Sequence, residues 1–134
     1  CDDEISKGFF HGHTYSANPL ACTAASAGID LLLSDEIQAR ILEISARHLA
    51  IEKRIKQHKN VNSTRCLGVI FALDLYVEMD RYGALRDKLY NYFMAEGVFL
   101  RPLGNTIYIL PPYVISNTEL ERIYEVIETV LELI

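Results

Sequence analysis

Residues 98–119, VFLRPLGNTIYILPPYVISNTE, constrain the fold more tightly than any other stretch. Val98–Arg101 and Thr106–Leu110 read as two short strands rich in apolar and β-branched residues. Pro102–Asn105 lies between them, with proline and glycine at turn positions. Strands joined this closely pair as an antiparallel hairpin. Pro111 and Pro112 stop the second strand, and Ser116 and Glu119 have the spacing of a capping box. The box opens a last amphipathic helix carrying Leu120, Ile123, Ile127, Val130 and Ile134. The C-terminal part is therefore expected to place helices on a sheet that is at least partly antiparallel, an α+β arrangement.

Upstream, Asn18–Leu33 is small and apolar on nearly every side, with Asn18 as N-cap and Pro19 at the first helical position. Such a helix packs closely on more than one face. Ile37, Ile41, Ile44, His48, Ile51 and Ile55 then form a single helical stripe, while Arg40, Glu43, Arg47, Glu52, Lys53 and Lys56 mostly fall elsewhere. His48 is expected to be an ordinary helix histidine at the edge of the core. Residues 63–75, STRCLGVIFALDL, predict one central strand covered on both faces, with Gly68 as an irregularity. A helix over Tyr82–Glu96 ends at Gly97. The expected order is α, α, β, α, β, β, α, divided into a lead-in and loop (1–17), connecting helices (18–59) and an α+β domain (60–134).

Composition limits the function. Half of the 134 residues are hydrophobic, enough for one cored domain. The net charge of −5 offers no basic excess to neutralise nucleic-acid phosphates. No apolar run reaches bilayer-spanning length, so no membrane partner is expected. The opening CDDEISKGFF lacks the basic n-region and apolar h-region of a signal peptide. Three scattered cysteines, Cys1, Cys22 and Cys66, suit reduced thiols in the cytoplasm better than a disulfide framework. The chain does not begin with Met and its acidic start leads at once into a functional-looking loop, so it reads as a piece of something longer.

Two stretches have the residue types of a binding site. His11 and His13 in FHGHTYSANP resemble half of a metal site, but His48 and His58 lie elsewhere and no cysteine pair completes a ligand set, so no metal is expected. Read otherwise, Gly12 permits close backbone approach, Thr14 and Ser16 supply hydroxyls, and a helix N-terminus follows, a pattern suited to a phosphate. A capped turn leading into a buried helix fits the same residues. In the second stretch Arg101 interrupts an apolar strand, and Pro102 holds it extended. A lone arginine there suits bidentate carboxylate recognition, or it snorkels to solvent. Tyr108 shares a face with Thr106 and Leu110 and either reaches the same ligand or simply packs.

HGHTYSANPLACTAA resembles the segment after the catalytic-lysine region of class III, fold-type I aminotransferases, enzymes that use pyridoxal 5'-phosphate (PLP). LRPLGNTIYILPPYVIS is similar to the C-terminal segment of the biotin-pathway branch of that family. The likeness runs from about Phe9 to Ile134. It implies the C-terminal small domain of the fold, a homodimer, and a loop that serves the neighbouring subunit. Gly12 would lie beside the substrate, while the His13 backbone and the Thr14 hydroxyl would hold the cofactor phosphate. Arg101 would bind the carboxylate of 7-oxo-8-aminononanoate, and Tyr108 would line that pocket. S-adenosylmethionine is the amino donor in most of the branch. Ala17 stands where the family often has glycine. The Schiff-base lysine would lie upstream; Lys7, Lys53, Lys56, Lys59 and Lys88 all lack its context, so no catalytic residue is assigned and the chain alone is expected to be inactive. Two readings stay open beside this one: another class III transaminase acting on ω-amino acids, and a non-catalytic α+β module.

Overall fold

The computed structural model describes Gly12, residues 14–77 and residues 83–134. It divides into two compact units, the first ending at Ser34 and the second spanning Asp35–Ile134. The first unit contains helix α1, Pro19–Leu32. Asn18 caps it as its sequence predicts, and Leu33 and Ser34 close it by bonding back to the Ile29 and Leu31 carbonyls. No residue of α1 is buried. Leu20 (82% exposed), Leu31 and Leu33 are exposed in this chain.

The second unit contains α2 (Asp35–Ile55), β1 (Val61–Leu67), β2 (Ile70–Leu75), α3 (Ala84–Ala95), β3 (Thr106–Ile109) and α4 (Asn117–Leu133). The strands form one sheet in the order β1-β2-β3, antiparallel throughout. Two expectations need correction. The stretch STRCLGVIFALDL is a hairpin and not one strand: Leu67 pairs with Ile70 across a Gly68–Val69 turn. Gly68 has φ +57°, the left-handed first position that glycine supplies in a tight hairpin turn. Val98–Arg101 is not a strand. Its alternation is real, with Val98, Leu100 and Pro102 buried and Phe99, Arg101 and Leu103 exposed. The Leu100 N–H, however, bonds back to the Val98 carbonyl at 3.0 Å, and Pro102 has no N–H. The return pairing stops at Leu103 and Thr106.

Pairing partners share a face, so the register sorts the side chains. Phe71, Leu73, Ile107 and Ile109 project into a core with Ile44, Ile51 and Ile55 of α2 and Leu120, Ile127, Val130 and Leu131 of α4. Each such side chain contributes about 1.5–3 kcal/mol by leaving water. The core excludes water from His48 as well: it is fully buried, deeper than its expected place at the edge. α4 begins with the anticipated capping box, Ser116 accepting from the Glu119 N–H and Glu119 accepting from the Ser116 N–H. α3 ends in a glycine cap. Gly97 (φ +73°) donates to Met94 and Val98 to Phe93, which sends the chain into the Arg101 segment.

The outer sheet face carries a polar anchor. The Asp74 carboxylate accepts from Ser63 Oγ, from Thr106 Oγ1 at 2.7 Å and from both Arg65 Nη atoms, one at 2.9 Å. The Arg65 guanidinium, followed by the two hydroxyls, holds the carboxyl well below its ordinary value of 3.8 against the opposing effect of burial. A depressed folded-state pKa adds stability above the unfolded value that is lost as pH falls below it. Asp74→Asn should therefore be less stable than wild type at pH 7, with the gap closing below about pH 4 in thermal melts. A gap independent of pH would remove this anchor from the acid response.

Candidate active site

Gly12 and Thr14 are both exposed; His11 and His13 lie outside the described residues. Residues 14–17 form a turn, and the Asn18 N–H reaches the Tyr15 carbonyl at 3.3 Å. Ala17 sits at φ +57°, in the left-handed region. That conformation costs a non-glycine residue about 1–2 kcal/mol, which explains why glycine suits this position. The start of α1 is less open to an anion than its sequence suggested. Asn18 Oδ1 accepts from the Leu20 and Ala21 N–H groups at 3.1 and 3.2 Å, and Cys22 donates to the Asn18 carbonyl. Pro19 has no N–H. The first-turn donors are consumed internally, so an anion held by the described part of this loop would rely on groups that precede the helix, the exposed Thr14 hydroxyl among them, with the helix dipole as background.

In the second unit Arg101 is exposed on the extended segment after α3. Among the described residues it has no acidic partner. Arg40 and Arg47 pair with Glu43, Arg54 with Glu121 and Glu128, Arg65 with Asp74, Arg86 with Asp87, and Arg122 with Glu96. Tyr108 (39% exposed) projects from the outer sheet face, opposite Ala72, as the shared face with Thr106 required. Arg101 and Tyr108 occupy the two arms of one turn. Leu103 and Thr106 exchange backbone hydrogen bonds of 2.9 and 3.1 Å across Gly104–Asn105, and each site residue lies two positions further out. The Arg101 and Tyr108 side chains are both exposed, and an arginine without an acidic partner among the described residues is a residue type suited to a carboxylate. Two residues fix this turn: Asn105, which the sequence places in the turn without a side-chain role, and Asp74, which it does not mark out. A lone carboxylate in the apolar run FALDL was the available signal for Asp74. No His, Cys, Asp or Glu cluster able to hold a metal occurs among the described residues.

Residues 1–131 match the family model described as aminotransferase class-III. The chain belongs to the class-III aminotransferase family. It is 41% identical over 135 residues to the adenosylmethionine-8-amino-7-oxononanoate aminotransferase of Synechococcus elongatus, covering 98% of this chain and 31% of that protein. The protein of the same name from Buchnera aphidicola is 33% identical over 133 residues, covering 96% and 30%. A PLP-bound amine transaminase from an uncultivated Pseudomonas species superposes with a TM-score of 0.79 at 25% identity, over 97% of this chain and 31% of its own. The chain thus spans a little under one third of the curated relatives it matches. Over that span the class-III aminotransferase fold and the α+β arrangement expected from the sequence agree.

Proposed function

We propose that this chain is the C-terminal portion of a cytoplasmic, homodimeric, PLP-dependent transaminase. In this reading the enzyme converts 7-oxo-8-aminononanoate to 7,8-diaminononanoate in biotin biosynthesis, with S-adenosylmethionine as amino donor. The observation that carries it is Arg101: an exposed guanidinium without an acidic partner among the described residues, in the same RPLGNTIY segment as Tyr108. An arginine fork matches a carboxylate in a bidentate geometry that lysine cannot reproduce. Tyr108 and the neighbouring exposed Leu103 offer apolar surface to the chain behind that carboxylate.

PLP, when bound, supplies the electron sink for amino transfer, and the protein supplies orientation and electrostatics. Thr14 and the His13 backbone would hold its phosphate, in the site of the neighbouring subunit, and Gly12 would leave room for the substrate. The exposed Thr14 hydroxyl fits that role as one half of a phosphate site. Thr14→Val should weaken cofactor retention about tenfold, the loss of one hydrogen bond to a charged group, read by absorbance after dialysis of the holoenzyme. Unchanged retention would remove Thr14 from the phosphate site. Complementation tests the function. The full-length gene should restore growth without biotin to a bacterium lacking its own diaminononanoate-forming transaminase, while the 134-residue chain alone should not. Failure of the full-length protein, expressed and PLP-loaded, would count against this reading and favour an ω-amino acid transaminase.

A further inference from the structure

The β2–β3 ladder ends at the pair Asp74 and Thr106. One step further, Leu75 and Asn105 would exchange two backbone hydrogen bonds if the ladder continued. Half of that exchange is present: the Leu75 N–H donates to the Asn105 carbonyl at 2.8 Å. The return bond comes from a side chain, Asn105 Nδ2 donating to the Leu75 carbonyl at 3.2 Å. Asn105 thereby extends the ladder by one pair even though its own backbone has already entered the turn. Gly104 (φ +60°) makes that turn possible, and Thr106 is pinned beside it by its hydroxyl bond to Asp74.

The arm beyond the turn is anchored by buried Val98 and Leu100 and by the edge contact of Phe99 with Tyr90, but near Arg101 its backbone hydrogen bonds are few. Leu100 donates only to Val98, Pro102 has no N–H, and Leu103 is held by Thr106. The position of Arg101 therefore depends on buried Leu100 and Pro102 on its own arm and on the turn that Asn105 fastens to β2. We infer that Asn105 is a positioning residue for the substrate carboxylate, acting through Arg101. The inference rests on the reading that Arg101 binds that carboxylate.

Asn105→Asp is nearly isosteric, but it replaces the donor with an acceptor facing the Leu75 carbonyl. Asn105→Ala removes the group. In the full-length holoenzyme both should raise the KM for 7-oxo-8-aminononanoate five- to tenfold while leaving kcat and the KM for the amino donor within twofold. Amide exchange at Leu103 and Thr106 should accelerate about tenfold, a readout independent of turnover. In an Arg101→Ala background the Asn105 substitutions should add less than twofold to KM. Three results would overturn the inference: an unchanged KM while Arg101→Ala raises it, an equal Asn105 effect in the Arg101→Ala background, or a fall in kcat matching the rise in KM. An Arg101→Ala enzyme with unaltered KM would instead sink the carboxylate reading itself, and the inference with it.

Discussion

Arg101→Ala in the full-length enzyme is expected, on the proposed function, to raise the KM for 7-oxo-8-aminononanoate roughly a hundredfold, about 2.7 kcal/mol, the range of a charge-assisted bidentate contact. The amino-donor KM and the spectrum of the bound cofactor should stay as in wild type. The guanidinium has no acidic partner among the described residues, so its removal orphans no protein carboxylate there and should cost little stability. Arg101→Lys should recover only part of the loss, since an ammonium keeps the charge but not the planar fork. A KM unchanged in Arg101→Ala would take the arginine out of the substrate site. A fall in kcat at constant KM would assign it to the chemical step instead.

The largest stability effect is expected at His48. It lies on α2, is fully buried, and both ring nitrogens are engaged. Nε2 lies 3.0 Å from the Val69 carbonyl, which can only accept, so Nε2 carries the proton. Nδ1 then accepts from the Tyr124 hydroxyl of α4 at 2.7 Å, and the ring stacks on Phe71 at 5.7 Å. One neutral imidazole thus ties two helices to the hairpin turn. His48→Ala leaves a cavity, a carbonyl without its donor and a hydroxyl without its acceptor, together on the order of 3–4 kcal/mol. Tyr124→Phe should cost less, about 1–2 kcal/mol, because only the Nδ1 partner is lost.

The same site should respond to acid. Burial lowers the His48 pKa from its ordinary 6.5, opposed by the bond to Val69. The unfolded chain therefore takes up a proton that the folded chain refuses, and stability falls as pH drops below 6.5. In denaturant titrations the deficit of His48→Ala should narrow between about pH 6.5 and 5. A constant deficit would show that His48 is protonated as readily when folded.

Local signals made much of the fold legible. Asn18-Pro19, the isoleucine stripe of α2 and the Ser116–Glu119 box depend only on near neighbours, and each appears where its residues placed it. The hairpin at Gly68–Val69 did not announce itself. Its turn contains a single glycine and no polar residue, so two strands read as one apolar run. Val98–Arg101 misled in the opposite way. Its alternation marks burial on one side, but a ladder needs free donors, and Pro102 and the Leu100–Val98 bond remove two of them. Arg101 was visible because a cation in an apolar run is conspicuous. The roles of Asn105 and Asp74 were not, because they follow from cross-strand register, which exists only once the strands have paired. His48 seemed peripheral for the same reason, since its partners lie 21 and 76 residues away.

The most direct test of the account is the acceptor preference of the full-length enzyme. Steady-state kcat/KM would be measured for 7-oxo-8-aminononanoate, with S-adenosylmethionine as donor, and for a short 2-oxo acid with an ω-amino acid donor. The account predicts at least a hundredfold preference for the first pair, abolished by Arg101→Ala. Efficient turnover of the second pair with none of the first would contradict it.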